Sequence, residues 1–128
     1  MFSIPVHVKI FLARHPVDMR KGFPGLIALT ESVLQQDPLS GHLFVFVNRR
    51  RDRIKVLYWG GSGFWIGYHQ LQQGRFQIPD PSDEQAGLEI SPAQLSMILG
   101  GIDLNSARQR LRFDLSAHRE AARHAAAS

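Results

Sequence analysis

In three short segments in the middle of the chain, two sets of side chains alternate from one residue to the next. This period of two is typical of β-strands. The three segments cover residues 43–47, 54–59 and 64–69 and are rich in aliphatic and aromatic residues. Arg-Arg-Arg-Asp-Arg occupies residues 49–53 between the first two segments, and Gly-Gly-Ser-Gly occupies residues 60–63 between the second and third. The pattern predicts three consecutive antiparallel strands, in which the first turn is strongly cationic and the second has almost no side chains.

Two flanking segments have the pattern of helices. Residues 23–35 carry apolar side chains at helical spacing, and Pro24 suits the first turn of such a helix. Ser91 and Pro92 are the residue types of an N-cap and a first helical position. They predict a second helix, which the glycines at residues 100–101 would end.

Two other segments predict further strands, at residues 6–13 and 88–90, and residues 108–115 predict either a last strand or an arginine-faced extension. The element order predicts an α+β fold, in which an antiparallel β-meander of about four to five strands has two helices packed on one face. A chain of 128 residues accommodates a single domain. We place this domain at residues 1–115 and expect the alanine-rich tail, residues 116–128, to be a frayed helix or disordered.

The composition narrows the classes of protein to be considered. The chain has no cysteine, which excludes disulfides and thiol ligands. No apolar run reaches the length of a membrane span. The apolar start is interrupted by His7 and Lys9 and lacks the pattern of a signal peptide. These observations predict a cytoplasmic protein without membrane contact.

The net charge of +4 conceals an uneven distribution along the chain. Residues 80–105 contain five acids and no lysine or arginine, whereas four of the five residues at 49–53 are arginine. Arginine presents a planar fork that fits phosphate, so this turn predicts contact with a polyanion, and nucleic acid before other partners. The alternative is a solvated turn that maintains solubility and protects a sheet edge. A G+C-rich genome would explain the excess of arginine but not its clustering.

The predicted nucleic-acid site is centred on this turn and extends to the segment before the first helix. Its residues are Arg20, Lys21, Arg49, Arg50, Arg51, Arg53, Lys55 and Trp65. Lys55 is included because it alternates onto the same face of its strand as Arg53. Arg20 and Lys21 are included because the free N–H groups of a helix start can hold a phosphate beside them. The alternative for this segment is that Asp18 caps the turn and forms a surface ion pair with Arg20.

Aromatic residues in the second and third of these strands are candidates for stacking on bases. They are Trp59, Phe64, Trp65 and Tyr68. Core packing is the more common use of such residues, and their alternation prevents all four from sharing one face. Trp65 is the best candidate for an exposed ring. These residues leave DNA and RNA open as the ligand; the predicted partner is DNA, with RNA as the alternative.

Three stretches of the chain are distinctive as a set. They are DMRKGFPGL at residues 18–26, the strand region at residues 37–76 and ISPAQLSMILGGIDL at residues 90–104. In their order and spacing they resemble the TnpB accessory proteins, which are encoded by the second open reading frame of the sixty-six family of bacterial insertion sequences. The resemblance implies a small, non-catalytic partner of a separate DDE-type transposase. This chain departs from the family pattern with Gly60 in place of a common acid and His-Gln at residues 69–70 in place of a common basic pair.

An enzyme is the first alternative to a binding protein. A two-metal nuclease would need acids such as Asp18, Asp52 and either Glu84 or Glu89. Asp52 sits among arginines that would pair with it, and no HExxH, Walker or catalytic-triad signature accompanies these acids. The six histidines lack the close spacing of metal ligands. The prediction is therefore a protein with no catalytic activity, no metal and no cofactor.

A protein–protein adaptor is the second alternative. An acidic connector contains Asp80, Asp83, Glu84 and Glu89. It would dock a basic partner such as the transposase of the same element, unless it is only a solvated linker. The residues do not predict an oligomeric state.

Overall fold

The structure is a computed structural model that describes residues 7–79 and 85–100. This part of the chain contains five strands and two helices. In chain order they are β1 (Ile10–Ala13), α1 (Phe23–Ser32), β2 (Leu43–Val47), β3 (Arg53–Trp59), β4 (Phe64–Gln70), β5 (Gly87–Ile90) and α2 (Pro92–Leu99).

The five strands form one mixed sheet in the order β4-β3-β2-β1-β5. β1 and β2 run parallel, whereas the other three neighbouring pairs are antiparallel. A parallel pair needs a crossover connection, and α1 provides it between β1 and β2. The α+β class is confirmed, but the prediction of a purely antiparallel meander is wrong. Alternation reports which residues share a face of a strand, and it does not report the direction in which the strand runs.

β2 lies at the centre of the sheet, and all five of its residues are buried. Its odd-numbered side chains belong to an apolar cluster with Leu95 and Ile98 of α2. Phe44 and Phe46 belong to a second cluster with Leu26 of α1. Because successive side chains of a strand point to opposite faces, the two helices contribute to opposite faces of the sheet rather than to one face as predicted. We call these the α2 face and the α1 face.

The predicted helix starts are confirmed, and one helix ends earlier than predicted. α1 begins at Phe23, and α2 begins directly after Ser91. Gln94 N–H donates to Ser91 Oγ at 3.1 Å, and Ser91 N–H donates to Gln94 Oε1 at 2.8 Å. This reciprocal capping box stabilises the first turn. α1 ends at Ser32 because the chain then turns, and Gln35 adopts a left-handed φ of 54°.

The strands predicted at the two ends of the chain are confirmed in part. β1 begins at Ile10, and β5 is the short edge strand predicted at residues 88–90. The strand or extension predicted at residues 108–115 and the tail at residues 116–128 lie outside the described residues. No helix in the described part of the chain is long and apolar enough to cross a membrane.

Candidate nucleic-acid interface

Two polar side chains close the turn that carries the arginines. Asn48 follows β2 directly, and Asp52 directly precedes β3. Asn48 Nδ2 donates to Asp52 Oδ1 at 2.7 Å, and Asn48 Oδ1 accepts from the backbone N–H groups of Asp52 and Arg53, both at 3.0 Å. We call residues 49–53 the arginine loop. These hydrogen bonds join the two ends of the loop and restrict the conformations of its backbone.

The segment after β4 holds the arginine loop from a second side. Leu71 N–H donates to the Asp52 carbonyl at 2.8 Å, and the N–H of the buried Phe76 donates to the Arg51 carbonyl at 2.6 Å. Arg51 has a φ of 59°, in the left-handed region that costs a residue with a side chain about 1 kcal/mol. The surrounding hydrogen bonds maintain this conformation.

All four arginines of the loop are exposed. Within residues 7–79 and 85–100, none of their guanidinium groups forms an ion pair. Asp52, which the sequence placed among them as a partner, uses its carboxylate on Asn48 instead. The loop therefore carries four arginines and one carboxylate, that of Asp52, and none of the four guanidinium groups forms an ion pair within the described residues.

Arg20 differs from these arginines because Asp18 binds it. Arg20 Nε donates to the two carboxylate oxygens at 3.1 and 3.0 Å, Nη2 donates to Oδ2 at 2.7 Å, and the backbone N–H donates to Oδ1 at 2.9 Å. The side-chain hydrogen bond from Arg20 is the main reason that the pKa of Asp18 is lowered from 3.8 to about 2. The surface ion pair considered as the alternative is thus the arrangement found.

Lys21 is exposed next to the start of α1. The N-cap of this helix is Gly22, which offers no side-chain acceptor to the first N–H groups. The Lys21 side chain lies along the first turn, since a Cβ added to Gly25 would be 3.0 Å from Lys21 Cβ. The aliphatic part of this side chain therefore packs against the first turn of α1.

Lys55 has a different position from the one predicted. It is buried, with 8% of its surface exposed. Its Nζ donates to the carbonyls of Met19 at 2.7 Å and Lys21 at 2.9 Å, and lies 4.8 Å from the centre of the Tyr68 ring. The ammonium group fastens the segment before α1 to the sheet. We therefore leave Lys55 out of the proposed contact surface, although its face of the strand was predicted correctly.

The arginine loop faces the segment before α1 across a cleft of about 560 Å³, and neither Arg20 nor Lys21 is among the residues that line it. Residues 16–19 line one side, and Asn48 with Arg49, Arg50, Asp52 and Arg53 lines the other. Val17 N–H donates to the Val47 carbonyl at 2.8 Å and holds the first side against the end of β2. The loop and the segment face each other because β1 and β2 are parallel, so the chain leaves both strands at the same end of the sheet.

Trp65 lies away from this cleft. It is 61% exposed, as predicted for one ring of the set, but it pairs with Tyr58 near the glycine turn, five residues along β3 from Arg53. The two rings stack with centres 6.4 Å apart, and a Cβ added to Gly60 would be 2.7 Å from Trp65 Nε1. Tyr58 packs against the α2-face cluster. Trp65 therefore does not share a surface with Arg53.

Tyr68 is the exposed ring on the other face. It is 53% exposed and lies opposite Lys55 in the β3–β4 register. From the sequence it was one of four candidate aromatic residues, with Trp65 the best candidate for exposure. Alternation within each strand could have shown which residues of β4 share a face with Tyr68. Placing Tyr68 opposite Lys55 also requires the register of β3 and β4, which depends on the length of the glycine turn.

The acids that a two-metal nuclease would need do not come together in the described part of the chain. Asp18 binds Arg20, Asp52 binds Asn48, and Glu89 lies on β5 at the far edge of the sheet. Glu84 lies outside the described residues. No group of three or more His, Asp or Glu residues in the described part of the chain has the arrangement of a metal site.

Replacing Asn48 by alanine is expected to lower the free energy of unfolding by about 2 kcal/mol. The change removes three hydrogen bonds and leaves the backbone N–H groups of Asp52 and Arg53 without that acceptor. Urea unfolding followed by circular dichroism measures the loss. Gln72→Ala, which removes an exposed amide, is the control and should change stability by less than about 0.5 kcal/mol. Equal effects would mean that Asn48 does not stabilise the loop.

These observations define the class: a small α+β protein with a mixed sheet, whose described part presents an exposed arginine loop beside a cleft. The chain belongs to the family described as IS66 Orf2 like protein, whose family model matches residues 8–109. This confirms the resemblance noted in the sequence. Membership associates the protein with insertion-sequence transposition, as an accessory protein.

Two curated relatives come from Sinorhizobium fredii (strain NBRC 101917 / NGR234). The chain is 37% identical over 103 residues to the uncharacterized protein y4jC, covering 80% of this chain and 86% of that protein. It is 42% identical over 97 residues to the uncharacterized protein y4hO, covering 76% of this chain and 83% of that protein. No solved structure matches the chain.

Proposed function

We propose that this protein is a non-catalytic, cytoplasmic accessory protein of insertion-sequence transposition that binds nucleic acid through the arginine loop and acts with the separate transposase. DNA is the proposed ligand, and RNA is the alternative. Arg49, Arg50 and Arg53 line the cleft and make the principal phosphate contacts. Lys21, with Arg20 to a smaller extent, adds positive charge in the segment that directly follows the cleft-lining residues 16–19.

The observation that supports the proposal most strongly is the exposure of the four loop arginines. They are exposed, and within the described residues they have no acidic partner. A loop that is already restricted by Asn48 loses little backbone entropy when it binds. Each guanidinium group that neutralises a phosphate releases a condensed counterion, which gives binding without requiring sequence recognition.

The backbone of Arg51 supports the same proposal. Its φ of 59° is a conformation that glycine or asparagine adopts at lower cost. An arginine at this position lowers stability slightly and adds a fourth charge to the loop. Conformational strain of this kind is common at functional sites.

The rival proposal is an adaptor that contacts the transposase and no nucleic acid. Both proposals include the transposase, so they differ only in the ligand of the arginine loop. Purification of the tagged protein from cells carrying the complete element, with and without nuclease treatment, separates them. Band-shift assays with DNA and RNA from the element ends complete the test.

We expect the transposase and nucleic acid to co-purify with the protein, and the purified protein to shift the element ends. A transposase that co-purifies after nuclease treatment, together with no shift of DNA or RNA, would contradict nucleic-acid binding and support the adaptor. Metal-dependent strand cleavage that is lost in Asp52→Ala would contradict the non-catalytic role.

A further inference from the structure

Tyr68 forms part of the α1 face of β4 together with a fixed cation. It lies directly opposite Lys55 in the register of β3 and β4. Lys55 Nζ lies over the ring, 4.8 Å from its centre, and is itself held by the carbonyls of Met19 and Lys21. The ring is therefore positioned from one side by a group that cannot move freely.

The other side of Tyr68 is open. The residue is 53% exposed, although it lies on a sheet whose centre is buried on both faces. β4 is an edge strand, so in the described part of the chain no further strand packs beside the ring. A planar aromatic surface is thus presented to solvent, supported from behind by the Lys55 ammonium.

Arg53 belongs to the same surface. It precedes Lys55 by two positions on β3 and so points to the same face. Arg53 pairs with Gln70 and Lys55 pairs with Tyr68, which makes Arg53 and Tyr68 diagonal neighbours across the two strands. Diagonal neighbours have Cα atoms about 7–8 Å apart, within reach of long and aromatic side chains. Arg53 also lines the cleft with Arg49 and Arg50.

An exposed ring next to Arg53, which itself belongs to the arginine loop, matches the chemistry of an unpaired nucleotide strand. In a duplex the faces of the bases are covered by their neighbours, and only phosphates and base edges are presented. In a single strand each nucleotide offers a base face to an aromatic ring and a phosphate to an arginine. Tyr68 adds to the arginine loop the one contact that a duplex cannot use.

We infer that the protein binds unpaired nucleotides, with a base stacked on Tyr68 and the adjoining phosphates on Arg53 and the arginine loop. This inference rests on the proposed function and names the form of nucleic acid that the site takes. Single-stranded DNA and single-stranded RNA share this chemistry. Trp65 provides a control ring, since it is exposed on the opposite face and is stacked on Tyr58.

The test measures the affinities of the wild type and of Tyr68→Ala, Tyr68→Leu, Tyr68→Phe and Trp65→Ala for labelled oligonucleotides. One sequence is used as single-stranded DNA, as single-stranded RNA and as duplex DNA. Tyr68→Leu retains apolar bulk without a ring, so it separates stacking from packing against Lys55. Urea unfolding of each variant identifies any that has lost its fold.

We expect Tyr68→Ala and Tyr68→Leu to weaken single-strand binding by about fivefold or more, and to leave duplex binding unchanged. Tyr68→Phe and Trp65→Ala should remain near the wild type. The single strand that the wild type binds more tightly identifies DNA or RNA as the ligand.

Equal losses for single strand and duplex in the Tyr68 variants, or no loss in either, would overturn the inference while leaving the arginine loop as the binding site. A wild type that binds none of the three oligonucleotides would overturn the proposed function, and this inference with it.

Discussion

Arg49→Ala/Arg50→Ala/Arg53→Ala, as a triple variant, is expected to bind nucleic acid about a hundredfold more weakly than the wild type at about 0.15 M salt. These three arginines line the cleft, are exposed and have no ion pair within the described residues. Each phosphate contact contributes about 0.9 to the slope of log affinity against log salt on duplex DNA. Its loss costs about fivefold at this salt concentration.

Arg51 is left in place so that the strained part of the loop backbone is unchanged. Fluorescence anisotropy with a labelled fragment of the element end measures the affinity. Lys9→Ala is a charge-matched control for the single variant Arg50→Ala: Lys9 is exposed at the start of β1, at the opposite end of that strand from the cleft. We expect a change below about twofold for Lys9→Ala and about fivefold for Arg50→Ala. Equal losses would show that overall charge, and not the arginine loop, determines binding.

Phe46→Ala is expected to lower the free energy of unfolding by about 3–5 kcal/mol. Phe46 is fully buried at the centre of the sheet and belongs to the cluster that contains Leu26 of α1. Its removal loses the transfer free energy of the ring and leaves a cavity between α1 and the sheet. A loss of this size is a large part of the 5–15 kcal/mol that is typical of a domain.

Phe23→Ala is the matched control, because it makes the same chemical change at a position that is 44% exposed. Urea unfolding should give a loss below about 1 kcal/mol for this variant. Similar losses at both positions would contradict the arrangement in which α1 covers Phe46. Phe46→Leu, which keeps most of the apolar volume, should fall between the two.

The local elements were predictable because their signals are local. Alternation located β2, β3 and β4, and Ser91 with Pro92 located the start of α2. The direction of β1 relative to β2 was not predictable in this way, because it depends on how α1 connects them. The uninterrupted apolar run of β2 was a missed signal: a strand that is apolar at every position is typical of a sheet covered on both faces.

The candidate site was predictable in composition and only partly in geometry. The arginine loop is where the sequence placed it, as a turn between two strands. The roles of Lys55 and Trp65 depend on contacts between segments distant in the chain, such as that of Lys55 with Met19 and Lys21. Alternation placed Lys55 on the correct face of β3. Lys55 is buried there because the segment that contains Met19 and Lys21 packs over it. No pattern in the sequence indicated that Asp52 would bind Asn48.

The affinity of the wild-type protein for a DNA fragment from the element end, measured over a range of salt concentrations, tests the central proposal most directly. The guanidinium groups of the arginine loop, which are exposed and form no ion pair within residues 7–79 and 85–100, predict a plot of log affinity against log salt with a slope of about −3 or steeper. The triple arginine variant should retain a slope near about −1. An undetectable affinity, or a wild-type slope equal to that of the variant, would contradict the proposal that this loop binds nucleic acid.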